Sequence, residues 1–162
     1  MQTKQELFVK LALDAWSIYC NRVTKLVTEL TDEQLQHEVS TGRNSGVYLV
    51  GHLTAVHDAM LPLLSLGEIM HPELENIFIK NPDKSFLEKP SINLIRQYWK
   101  EVNETLASAF VKMSADEWFQ KHSAISEEDF SREPNRNKLN VLINRTNHLA
   151  SHYGQMVFLK ES

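Results

Sequence analysis

Four stretches of this chain repeat apolar residues at the three-and-four spacing of a helix face, and nothing else in the sequence constrains the fold as much. Over 3–30 the apolar positions are Leu7/Phe8, Leu11/Ala12, Ala15/Trp16, Tyr19, Val23, Leu26/Val27 and Leu30, which predicts one long amphipathic helix. Thr3-x-x-Glu6 at its start is a capping box, in which hydroxyl and carboxylate satisfy backbone N–H groups that lack an intrahelical partner. A second helix is expected over about 45–66, with Leu49, Val50, Leu53, Val56, Met60, Leu61 and Leu64 on one side. Pro62 should kink or end it near Leu61, and Gly67 supplies a left-handed stop. Between His71 and Pro90 the spacing is lost and Pro72, Pro82 and Pro90 interrupt the chain, which predicts a long crossover with at most a short helix around 74–80. The third helix, over about 91–113, carries Leu94/Ile95, Tyr98/Trp99, Val102, Leu106 and Phe110. The fourth, from 137 almost to the end, carries Leu139, Leu142/Ile143, Leu149/Ala150, Tyr153 and Met156/Val157.

Four long helices predict an all-α fold, a four-helix bundle with a long crossover between helices two and three. With 162 residues, 42% of them hydrophobic, the chain can bury one core, so 1–162 is expected to be a single domain. Five Gly and five Pro leave few turns for a many-stranded β fold. A capping box with a following apolar residue recurs as Thr31-Asp32-Glu33-Gln34-Leu35 after helix one and Ser114-Ala115-Asp116-Glu117-Trp118 after helix three, a weak sign of duplicated helix pairs.

Seventeen Lys plus Arg against 21 Asp plus Glu leave a charge of -4, with no basic surplus to hold a phosphate backbone, so nucleic acid is not an expected partner. No run approaches the roughly 18 apolar residues of a membrane span. Met1-Gln2-Thr3-Lys4-Gln5-Glu6 is too polar for a signal peptide, and the expectation is a soluble, cytoplasmic protein. Cys20 stands alone, so no internal disulfide is expected; it reads as a small buried or rim residue rather than a nucleophile.

The chemistry must come from the seven histidines, because the sequence has no Gly-rich phosphate loop, Cys pair or G-x-S-x-G elbow. His148 and His152 are four apart on helix four, the spacing by which one helix face gives two ligands to one ion. A third ligand must come from another helix. His52 and His57 both lie on helix two about 140° apart, so they do not serve one ion together, and spacing does not choose between them. Against the metal reading stands a plainer one, in which each histidine is a hydrogen-bonded core or rim residue. Three imidazoles with open positions suit Zn, Ni, Fe, Mn or Co, and they form a catalytic layout rather than a closed structural one. Nothing aims Asp58, Glu68 or Glu101 at such a site as a base. Glu127-Glu128-Asp129 with Arg132, Arg136 and Lys138 reads as a solvated loop, which Ser126 and Pro134 would suit as a lid.

Two motifs resemble a known family. Ser45-Gly46-Val47-Tyr48-Leu49-Val50-Gly51-His52-Leu53 is similar to the helix-two histidine segment of the DinB/YfiT-like proteins. His148-Leu149-Ala150-Ser151-His152-Tyr153-Gly154-Gln155-Met156 is similar to their last-helix signature, H-x-x-x-H-x-G-Q and an apolar residue. The resemblance extends over most of the chain and departs at Ser151, where relatives often carry a further histidine. It implies a four-helix bundle, usually a homodimer, with a divalent metal held by His52, His148 and His152. Gln155 is placed either to reach a bound water or a ligand's second ring nitrogen, or to stand as a solvated amide. Characterised relatives attach a low-molecular-weight thiol such as bacillithiol, isomerise with mycothiol, or are associated with metal-dependent hydrolysis, and the resemblance does not choose among these. The expectation is a metal-dependent thiol S-transferase or hydrolase acting on a small molecule. The alternative is a non-enzymatic dimeric binding protein whose metal site is structural or vestigial. Val141 and Leu159, outside the main apolar arc of helix four, are candidate dimer contacts.

Overall fold

Each periodic stretch becomes a helix in the computed structural model, which describes residues 3–85 and 87–161. Met1 and Gln2, the start of the polar N-terminal stretch, lie outside the described residues. Helix α1 (Lys4–Glu29) begins at the Thr3–Glu6 capping box, with both of its hydrogen bonds formed. Then follow α2 (Asp32–Gln36), α3 (Gly46–Asp58), α4 (Met60–Leu63), α5 (Glu73–Phe78), α6 (Ile92–Phe110), α7 (Ala115–Trp118), α8 (Glu127–Arg132) and α9 (Lys138–Met156), and a 3-10 helix over Val157–Glu161. Among the described residues there is no strand, only isolated bridges between Glu38 and Ser45 and between Lys121 and Asn137.

The long helices α1, α3, α6 and α9 form the bundle, α1 lying along α9 and α3 along α6, with α3 also touching α9 and α1 touching α6. Trp99, Phe78, Leu49, Leu53, Ile95 and Leu106 are fully buried in one continuous core. Each such side chain stabilises the fold by roughly 1.5–3 kcal/mol relative to exposure. Arg96 on α6 locks the end of α1: its Nε donates to Val27 O at 3.2 Å and its Nη2 to Leu30 O at 2.8 Å, filling carbonyls that the helix end leaves without partners. The paired capping boxes at Thr31 and Ser114 both form, and each short helix buries one large side chain, Leu35 and Trp118, at the end of its long neighbour.

The second predicted helix breaks earlier than Leu61. Pro62 lacks an N–H to bond the Asp58 carbonyl, so α3 stops at Asp58 and α4 restarts at Met60. The left-handed stop falls on Ser65 (φ 61°) rather than Gly67. Leu66 N donates to Leu61 O at 2.8 Å and Ser65 N to Pro62 O at 3.1 Å, the two bonds of a Schellman motif. The polar run after Ser126 is helical, as α8, because the Ser126 hydroxyl caps the Asp129 N–H at 3.0 Å. Leu159 is buried rather than free for a partner, and Val141 packs partly into the core.

The crossover is pinned to α3. Phe78 of α5 is buried against Gly51, where an added Cβ would lie 2.4 Å from the ring. The Tyr48 hydroxyl donates to the Asn81 carbonyl at 2.6 Å. These contacts hold α5 beside the middle of α3, where His52 projects.

Candidate metal centre

His52 on α3 meets His148 and His152 on α9 where the two helices pack together. His148 Nε2 stands 3.1 Å from His52 Nε2 and 3.0 Å from His152 Nε2. Three nitrogens bound at about 2.1 Å to one ion lie about 3.0–3.4 Å apart for angles between square and tetrahedral, so this spacing suits a shared cation. The cluster is half-buried, and among the described residues it is the one group of three His, Cys, Asp or Glu side chains close enough to hold a metal ion.

Hydrogen bonds outside the cluster fix which nitrogens face inward. The Phe78 carbonyl, 2.8 Å from His52 Nδ1, can only accept, so Nδ1 carries the hydrogen and Nε2 presents its lone pair to the cluster. Gln155 Oε1 does the same for His152 Nδ1 at 2.8 Å. Gln155, though exposed, therefore orients a ring. Both lone pairs face His148 Nε2, and a cation held among the three nitrogens would satisfy all of them; the donor set fits a metal ion. The His52 ring also lies parallel to Tyr48, at an interplanar angle of 7°. Burial lowers the affinity of His52 for a proton, the Phe78 bond partly offsets this, and the charges of His152 and Arg145 lower it further. His148 is pushed down to about 4, first by burial and then by His152, His52 and Arg145. Both rings are neutral at pH 7, the form that binds metal.

His57, which spacing left level with His52, belongs to the core. It is fully buried, with Nδ1 2.7 Å from Asn103 Oδ1, and burial pushes it down to about 4. Cys20 is buried beside the same Asn103, and burial lifts its thiol well above the ordinary range, which rules out a ready thiolate. Ser151 is exposed, so that departure leaves the three imidazoles untouched.

Two cavities flank the cluster. One, of about 600 Å³, lies between His152, Gln155, Phe158 and the 39–44 turn, in which Gly42 takes φ 75° and donates its N–H to Glu38 at 2.7 Å. The other, of about 360 Å³, lies between α3, α5 and α9 and reaches His52, His148 and Arg145. The 39–44 turn, rather than the segment around Ser126, covers the site. The latter is tied to the opposite end of α9, where Lys121 pairs with Glu127 at 3.0 Å and Lys138 N donates to Gln120 O. Asp58 lines the smaller cavity but spends both oxygens on the N–H groups of Met70 and His71, at 2.9 and 2.7 Å. Glu101 lies 3.4 Å from His71 Nε2 and Glu68 is exposed; neither is in the cluster. Sequence reasoning passed over Arg145, although its place three residues before His148 on one helix face is legible, and over the Phe78 carbonyl, for which a sequence carries no signal.

None of the described helices is long and apolar enough to cross a membrane. The family profile of the DinB superfamily matches residues 20–156, a span that includes all three clustered histidines. No curated protein matches the chain.

Proposed function

The chain belongs to the DinB superfamily, and from that membership we propose that it is a divalent-metal-dependent enzyme acting on a small molecule, a thiol S-transferase or a hydrolase, with His52, His148 and His152 as ligands. The observation that carries this reading is the convergence of three Nε2 atoms within 3.1 Å steps at a point flanked by two cavities. Three protein ligands leave coordination positions open, the arrangement of a catalytic rather than a structural site. Imidazole ligands bring no negative charge, so a bound divalent ion would keep its full charge and acidify a water or thiol beside it. Phe78 and Gln155 hold two of the rings in the ligating tautomer, and the 39–44 turn and α5 limit access to small molecules.

Elemental analysis of protein purified without a metal-binding tag tests the assignment. Near-stoichiometric metal in the wild type, lost in His152→Ala with helicity retained, is the expected outcome. Full occupancy in His152→Ala refutes the ligand set, and a wild type that takes up no divalent ion leaves the non-enzymatic binding protein as the reading.

The same reading includes a homodimer. Leu7, Leu11 and Ile18 fall on one face of α1, with Phe8 at its margin, and they are 49–58% exposed, an apolar stripe that a second copy would cover. Leu11→Glu is expected to convert a dimer to a monomer by sedimentation; an unchanged mass refutes α1 as the interface.

A further inference from the structure

The smaller cavity has a guanidinium in its wall that no ion pair among the described residues engages. Arg145 lines it together with His148, one helical turn away on the same face of α9. Arg145 Nε and His148 Nδ1 are both buried without a hydrogen-bond partner among the described residues. With His148 Nε2 bound to a cation, as the metal reading has it, its Nδ1 would carry a hydrogen, so both orphaned atoms would be donors. Arg145 is partly buried and its guanidinium stays protonated at neutral pH, so its buried Nε favours an acceptor in the cavity. Arg145 enters none of the ion pairs among the described residues. Neither carboxylate of the cavity wall pairs with Arg145: Asp58 accepts from the backbone of Met70 and His71, and Glu75 stands 3.3 Å from Lys80. A divalent cation at the histidines would place a second positive centre against the same space. The remaining wall is His71, whose Nε2 is also buried without a hydrogen-bond partner, and the apolar side chains of Ala55, Val56, Ala59, Ile69 and Ile79.

We propose that Arg145 is the substrate-anchoring residue, and that the site takes a small carboxylic acid whose carboxylate docks on Arg145 while its reacting group faces the three histidines. This rests on the metal-enzyme reading above. The planar fork of a guanidinium matches the two oxygens of a carboxylate. Asp58 and Glu75 in the same wall oppose the second charge that a phosphate would bring. A volume of about 360 Å³ equals roughly a dozen waters' share of the liquid, which limits the acid to a few carbons beyond its reacting group.

Cobalt-loaded protein, titrated calorimetrically with 3-mercaptopropionate and with the neutral 3-mercapto-1-propanol, tests the proposal. The wild type is expected to bind the acid about tenfold or more tightly than the alcohol, the effect of a charge-assisted hydrogen bond. In Arg145→Met that preference should fall to about twofold or less, with cobalt content and affinity for the alcohol kept; Arg145→Lys should restore part of it. Equal affinities in the wild type, no binding of either thiol, or a preference that survives in Arg145→Met overturns the proposal while cobalt uptake leaves the metal reading standing. Failure of the wild type to take up cobalt or any other divalent ion overturns both.

Discussion

Replacing Gly51 with alanine should weaken metal binding without touching a ligand. The added Cβ would lie 2.4, 2.5 and 2.7 Å from three atoms of the Phe78 ring, whereas ordinary contact begins at 3.4 Å. The ring must therefore retreat by about 1 Å, or α3 and α5 must part by as much. Phe78 is fully buried beneath Tyr48, their ring centroids 5.6 Å apart, so α5 moves as a piece and takes the Phe78 carbonyl with it. That carbonyl is 2.8 Å from His52 Nδ1, and the same displacement carries it beyond hydrogen-bonding range. Overpacking costs about 1–3 kcal/mol, and replacing a mid-helix glycine with alanine returns about 1 kcal/mol, so the net loss of stability should be no more than about 2 kcal/mol. Losing the partner that orients His52, a ligand on the proposed reading, should lower metal affinity about 10- to 100-fold. Competition against a chromophoric chelator measures the affinity, and urea unfolding in chelator measures the stability. Gly154→Ala is the control: nothing lies within 4 Å of its added Cβ, so it should gain about 0.5–1 kcal/mol with metal affinity unchanged. Wild-type metal affinity in Gly51→Ala would refute the claim that α5 positions His52.

Ser65 holds the left-handed position of the α4 stop at a steric cost that glycine does not carry, so Ser65→Gly should raise stability by about 1 kcal/mol in urea unfolding; no change or a loss would mean that the site is not strained. His57 is the acid-sensitive point of the core. Burial lowers it from its ordinary 6.5 to about 4, so as pH falls through 6.5 the unfolded chain takes up a proton that the folded chain refuses until about 4. Stability should fall over that window by up to about 1.4 kcal/mol per pH unit, about 3 kcal/mol in all. His57→Gln should unfold with a pH dependence shallower by about one proton, and parallel curves for variant and wild type would exclude His57 as the cause.

Much of this molecule is written locally. Helix faces follow from 3.6-residue periodicity, and the boxes at Thr3, Thr31 and Ser114 cap their own first turns, so neither needs a distant partner to be read. His148 and His152 share a face because they are one turn apart, which also makes two of the three clustered histidines legible. Local signals fail where a competing interaction lies a few residues away. Pro62 breaks the helix at the carbonyl it cannot bond, and the stop falls on Ser65 because the Schellman bonds close there, whatever glycine offers two residues later.

The choice of His52 over His57 lay beyond spacing, since both occupy the margin or interior of one apolar arc. Packing decides it: α6 brings Asn103 against His57 and buries it, while α9 and α5 bring two imidazoles and a backbone carbonyl to His52. The cavity at Arg145 and the turn over His152 have the same origin. A sequence specifies which side chains lie on a helix face, because the backbone repeats. What each face meets depends on how the helices cross and where the connections lie, and only the folded chain fixes that.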